Sequence, residues 1–303
     1  MTVTHKKAAM ILQNWDLGDS AITDIYYEGT GNKNDNACYA GEHYILKYTA
    51  NPGKLKKHIE VSKALESVGL LSAVPVLTTG GAEYIQDGEV YFYLTRRLPG
   101  QQMASHRFEN GDGRFVGEII GQLHLALEKI DDCVSDADLL ATVRDWALPN
   151  ANAALQLSDD FCEEYLETFA VLYPTLPRQI IHRDPNPGNM ICNANQWGFI
   201  DFELAERNAR IYDPCYAATA VLSETFSQDN EKWPEIYRDI LCCYDSVAHL
   251  SGNERKAIPF IILANQFVCV AWFSEQDKYA EIFETNKQMT QWLIRNFDAL
   301  RNI

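Results

Sequence analysis

The stretch Ile180-Ile-His-Arg-Asp-Pro-Asn-Pro-Gly-Asn-Met-Ile-Cys192 decides how the rest of the chain reads. An apolar step leads into a tight loop and another leads out of it, and the loop is too rich in Pro and Gly to be helix. It presents Asp184 and Asn189, five positions apart, and twelve residues further on a second apolar strand, Trp197-Gly-Phe-Ile-Asp-Phe-Glu203, carries Asp201. The spacing predicts two strands joined by a short turn at 193–196, which brings Asn189 and Asp201 together. A carboxylate in a constrained loop can accept a hydroxyl proton, and an amide with a second carboxylate can hold a hard metal ion; phosphoryl transfer needs these groups and a cation on the phosphates.

Outward from this loop the texture changes twice. Residues 20–28, 37–50 and 88–98 are β-rich, with a helix from Asn51-Pro-Gly to about Val68 between them, and 2–16 reads as a short amphipathic helix. Beyond Leu98-Pro-Gly100 long helical periodicity takes over at 113–130, 136–148, 159–172, 211–226, 231–249, 254–275 and 278–302, interrupted only by the β-rich 179–202. The expected architecture is α+β and bilobal, with a small β-rich lobe at 1–98 and a larger, mainly helical lobe at 99–303.

At 303 residues and 47% hydrophobic content the chain has ample material for a core. No signal peptide or spanning helix fits, since the first apolar stretch, Ala8–Leu12, and the run Phe267–Phe273 are both too short. Eight cysteines without metal-ligand spacing read as free thiols, so a cytoplasmic protein is expected. The net charge of −16 argues against nucleic acid or an anionic membrane as partner. Residues 1–98 carry 10 Lys and Arg against 11 Asp and Glu, and the remaining 16 and 31 leave −15 on 99–303. That acidity either serves solubility or attracts a cationic substrate.

The pattern His182-Arg-Asp184 with Asn189, followed by Ile200-Asp201-Phe, resembles the catalytic loop and metal-binding strand end of the protein-kinase-like superfamily. Pro187-Gly-Asn189 and Asp201-Phe-Glu203, with Asp213 in Ile211-Tyr-Asp-Pro, resemble its aminoglycoside phosphotransferase and choline kinase branch. The resemblance implies a protein-kinase-like fold and a small-molecule kinase, with Asp184 as base, Asn189 and Asp201 as Mg²⁺ ligands, His182 orienting the loop and Asp213 supporting it. It also implies a phosphoryl donor, ATP or GTP. Lys47, inside the apolar strand Tyr44-Ile-Leu-Lys-Tyr, resembles the phosphate-binding lysine, and Glu60 the helix glutamate that pairs with it. Gly29 and Gly31 occupy the place of the loop over the phosphates. Arg183 stands where small-molecule members more often have glycine, and reads equally as a surface salt bridge or as a catalytic group. His124, without a carboxylate at helical spacing, reads as structural.

The acceptor is open between aminoglycoside, choline, another amino alcohol, a sugar and a different antibiotic. Glu203, Glu206, Glu224, Trp272 and Glu275 are candidates to hold it, because aromatic and acidic groups together suit an amine. Other classes fit less well. A protein kinase typically has a basic residue where this chain has Asn186, and needs an Ala-Pro-Glu and an activation segment that are absent after Asp201. An inactive nucleotide-binding pseudokinase usually loses one of the residues kept here as Lys47, Asp184, Asn189 and Asp201. A metalloenzyme built on His182, Asp184 and Asp201 lacks a second well-spaced histidine.

Overall fold

The computed structural model describes residues 3–18, 25–26, 37–103, 112–130, 134–193 and 196–301. It is a mixed α+β structure whose chain divides into two compact units, 1–101 with 191–203, and 102–190 with 204–303. The segment 191–203 thus folds with the first unit although it lies far along the chain. Backbone approach explains why: the Leu71 N–H donates to Trp197 O at 3.1 Å, and a Cβ at Gly198 would sit 2.1 Å from Leu71 O. Only glycine allows that contact. Asn193 Nδ2 also donates to Pro99 O at 3.1 Å.

In the first unit an antiparallel sheet runs in the order Ile25–Tyr26, Ala37–Ala40, Tyr44–Thr49, Val90–Arg96, Ile85–Asp87. The period-2 alternation sends Leu46, Tyr48, Phe92 and Leu94 to one face, where Ala8, Ile11 and Leu12 of the helix His5–Leu12 join them in one core. On the other face Tyr93 packs against Leu55 and Ile59 of the helix Pro52–Ser67. That helix starts where Asn51 Oδ1 accepts from the Gly53 and Lys54 amides at 2.9 and 3.2 Å, with Pro52 pre-set in its first turn. Gly69, at φ 83°, follows its end.

In the second unit the helices Asp112–Leu127 and Trp233–Ala248 lie in close contact. The spacing of Gly113, Gly117 and Gly121 puts one small face on the first helix, and a Cβ at Gly117 would come within 2.1 Å of Ile240 O. A short antiparallel pair, Arg178–Ile181 with Glu206–Ala209, lies in the same unit. The helix expected at 136–148 instead continues to Leu155 through a widened π turn at Val143–Ala147. Pro149 has no N–H to close an ordinary turn there, and the wider turn absorbs the loss. Contrary to the sequence expectation, one helix among the described residues, Gly252–Ser274, is long and apolar enough to cross a membrane; 72% of its most apolar window is buried within the protein. The seven described cysteines are free.

Candidate active site

The strand Arg178–Ile181 delivers the chain into the loop that carries Asp184. The next two amides close onto one carboxylate: His182 N–H donates to Asp213 Oδ2 at 2.7 Å, and Arg183 N–H to Asp213 Oδ1 at 3.0 Å. Arg183 has φ 76°, in the left-handed region that favours glycine, and the paired amides hold it there. Asp213, in the first turn of the helix Tyr212–Asp229, is fully buried, so its charge must be compensated by such donors. A third comes from His124, whose Nε2 lies 3.0 Å from Asp213 Oδ2 while its Nδ1 lies 2.8 Å from Tyr244 OH. Burial holds the Tyr244 phenol well above its usual range, so it donates to Nδ1 and the Nε2–H donates to the carboxylate. The carboxylate partner of His124 lies 89 residues away, out of reach of any local pattern.

The loop itself is a closed hydrogen-bond network. Asp184 N–H donates to His182 Nδ1 at 3.3 Å, Asn186 Nδ2 donates to Asp184 Oδ1 at 2.8 Å, and Asn186 Oδ1 accepts from the Gly188 amide at 2.8 Å. Asn189 Nδ2 donates to both Asp184 O (2.9 Å) and Asp184 Oδ2 (3.2 Å). The amide nitrogens of both asparagines therefore fix the carboxylate plane, and Asn189 Oδ1 accepts no hydrogen bond from the described residues. The Arg183 guanidinium turns aside, 4.1 Å over the Tyr212 ring and 2.9 Å from Glu206. Glu206, which also accepts from Asn208 Nδ2 at 2.8 Å, is thereby committed to its own neighbours.

A cavity of about 220 Å³ opens beside the loop, with Asn186, Tyr216, Glu224 and Phe273 in its lining. Burial first, then the Cys269 and Asp184 charges, raise the Tyr216 phenol well above its usual range. Of the five residues expected to hold an acceptor, Glu224 alone lines this cavity. Trp272 is 43% exposed and packs on Phe273 and Tyr279, and Glu275 accepts from Trp146 Nε1 at 3.3 Å. A larger groove of about 720 Å³, bordered by Val171, Arg255 and Phe260, contains no residue singled out from the sequence.

In the first unit Lys47 stands opposite Tyr93 across the sheet, on the face covered by the helix Pro52–Ser67. Burial, then the Lys47 charge, pushes the His58 imidazole down to about 3, and His58 Nε2 bonds Ala73 O at 2.9 Å. The structure does not join Glu60 to Lys47. The helix turns His58, Ile59 and Ser62 inward, and Glu60 is left exposed on the opposite face with Lys56. Two lysines overlooked in the sequence engage Glu203 instead: Lys54 Nζ bonds Glu203 Oε2 at 2.7 Å, and Lys57 Nζ donates to Glu203 O at 3.0 Å. Burial, then the Glu203 and Asp201 carboxylates, raises the Tyr93 phenol far above its usual value. Asp201, like Arg183, has a left-handed φ, 66°. Gly29 and Gly31 lie outside the described residues.

Asn189 and Asp201 offer one amide and one carboxylate oxygen. Mg²⁺ retains several waters and takes one or two carboxylates plus substrate phosphates, so it needs no all-protein cage, and no cluster of three His, Cys, Asp or Glu occurs among the described residues. The unengaged Oδ1 of Asn189 is the hard donor such an ion requires. Each of the two residues, taken by itself, is a hard oxygen donor of the kind that ion takes.

Residues 31–241 match the model of the phosphotransferase enzyme family (APH). Among curated proteins none matches the chain. Solved structures share the fold at low identity. A microcompartment-associated aminopropanol kinase aligns with TM-score 0.71 and 15% identity over 98% of this chain and 99% of its own. The GDP complex of aminoglycoside 2′-phosphotransferase-IIIa gives 0.68 and 14% over 97% and 99%. A choline/ethanolamine kinase family protein from Mesorhizobium loti gives 0.62 and 14% over 98% of both chains.

Proposed function

This chain belongs to the phosphotransferase enzyme family, an enzyme class that phosphorylates alcohol groups, and we propose that it transfers the γ-phosphoryl group of ATP or GTP to a hydroxyl of a small, amine-bearing molecule. The observation that carries this reading is the Asp184 carboxylate, oriented by two asparagine amides and set beside a cavity whose lining includes Glu224. A base held in one plane can accept the acceptor's hydroxyl proton as the oxygen attacks, and positioning supplies much of the rate in phosphoryl transfer. Lys47 is the group for the donor phosphates, and Asn189 with Asp201 would hold Mg²⁺. When bound, that ion would neutralise charge on the phosphates.

Support for an amine comes from Glu224 in the cavity and from the −15 balance of residues 99–303, which draws cations. The fold neighbours described as aminopropanol, aminoglycoside and choline/ethanolamine kinases point the same way. The described thiols, which are free, agree with a cytoplasmic location. The test is acceptor-dependent nucleotide consumption across a panel of hydroxylated amines, sugars and antibiotics, with ATP and with GTP. Consumption that requires an amino alcohol supports the proposal, and consumption with no small acceptor in the panel overturns it.

A further inference from the structure

The floor of the 220 Å³ cavity is built from two buried amides, Gln266 and Asn286, which are 1% and 4% exposed. Asn286 Nδ2 donates to Ile282 O at 2.9 Å, but its Oδ1 has no partner among the described residues. One end of the Gln266 amide meets Thr290 Oγ1 at 3.4 Å, and the other end has none. Neither orphan atom is among the sealed polar atoms of the described residues, and both side chains line the cavity. Both therefore open onto the cavity, where a ligand's polar group can bond them in place of water. The lining also contains the Thr219 and Ser223 side chains and a single formally charged group, Glu224. Among the described residues no lysine or arginine lines it, so a carboxylate or phosphate on the ligand would enter against Glu224 and Asp184 without a lining cation.

Size narrows the class further. About 220 Å³ is below the ~300–1,000 Å³ of sites for drug-sized ligands. At one side of the cavity lies Asn186, which bonds Asp184; Glu224 is solvent-exposed; the floor offers the two amides. We propose that the acceptor is a compact amino alcohol that carries, besides its amine and its reacting hydroxyl, a third polar group able to hydrogen-bond Asn286 and Gln266, and that it bears no anionic group. This rests on the kinase reading for the word acceptor; the pocket's ligand class rests on the pocket.

The full-length protein is titrated calorimetrically with 2-amino-1,3-propanediol, ethanolamine, serine, glycerol and kanamycin, and transfer to each is followed by ³¹P NMR with Mg²⁺ and ATP or GTP. The aminodiol should bind at least tenfold more tightly than ethanolamine, because the monohydroxy amine leaves the floor amides unmet. Serine, which adds a carboxylate, should bind more weakly than either amine. Asn286→Leu should abolish the aminodiol's advantage. Glu224→Gln, at an exposed position where the fold is not at stake, should weaken both amines about tenfold and leave glycerol unchanged. Equal affinity for aminodiol and ethanolamine, a preference for serine or kanamycin, or amine binding insensitive to Glu224→Gln would overturn the inference even if phosphoryl transfer occurs. The expected ranking without transfer to any acceptor would uphold the pocket's ligand class and overturn the kinase reading.

Discussion

One oxygen of the buried Asp213 carboxylate, Oδ2, lies 2.7 Å from the His182 amide nitrogen and 3.0 Å from His124 Nε2. The helix carrying His124, the start of the helix carrying Asp213 and the loop carrying Asp184 thus share one acceptor, and the loop's backbone path depends on it. Asp213→Asn presents an NH₂ where a donor already points, and leaves at least one buried N–H unmet. The expected result is a loss of about 2–4 kcal/mol in unfolding free energy. Turnover should fall far more than nucleotide affinity, because Asp184 is displaced while the first unit is untouched. Chemical denaturation with parallel measurement of kcat and nucleotide Kd checks this, and an unchanged kcat would separate Asp213 from the loop's geometry.

The face shared by Gly113, Gly117 and Gly121 makes a second prediction. A Cβ at Gly117 would overlap the Ile240 backbone, which cannot move aside as a flexible side chain could. Gly117→Ala should destabilise the protein by about 1–3 kcal/mol despite the higher helix propensity of alanine. Thermal unfolding reads it directly, and a raised Tm would mean that the two helices are not in close contact there.

His58 supplies a pH dependence. Its folded value of about 3 lies below its ordinary 6.5, so between these pH values the unfolded chain binds a proton that the folded chain does not. The stability due to neutral His58 is complete above about pH 6.5 and is lost as pH falls towards 3, by at most about 1.4 kcal/mol per pH unit. Denaturant unfolding at pH 7, 6 and 5 should show a steeper loss for the native chain than for His58→Gln, which keeps a donor for Ala73. Equal slopes would mean that His58 does not set the pH dependence.

The loop at 180–203 was legible because its chemistry is local. Asp184, Asn186 and Asn189 sit within six residues, and their side chains bond one another. The strands and most helices followed from apolar periods of two and of three to four. What escaped the sequence is long-range. His124 meets Asp213 and Tyr244 across 89 and 120 residues, and the cavity floor joins Gln266 and Asn286 on separate helices. Glu60 misled for the opposite reason: its spacing from Lys47 suited a pair, but the inward face of its helix was set by Leu55, His58, Ile59 and Ser62. Arg183 stands where glycine was expected, and its positive φ gives the reason glycine suits the position.

If Asp184 is the base of a small-molecule kinase, transfer itself must depend on its carboxylate. Single-turnover transfer of labelled γ-phosphoryl to the acceptor found by screening is compared for the native chain and Asp184→Asn, with nucleotide affinity measured on both. The rate should be about 10²–10⁴ lower in the variant with nucleotide Kd nearly unchanged; equal transfer rates would remove Asp184 from the chemistry.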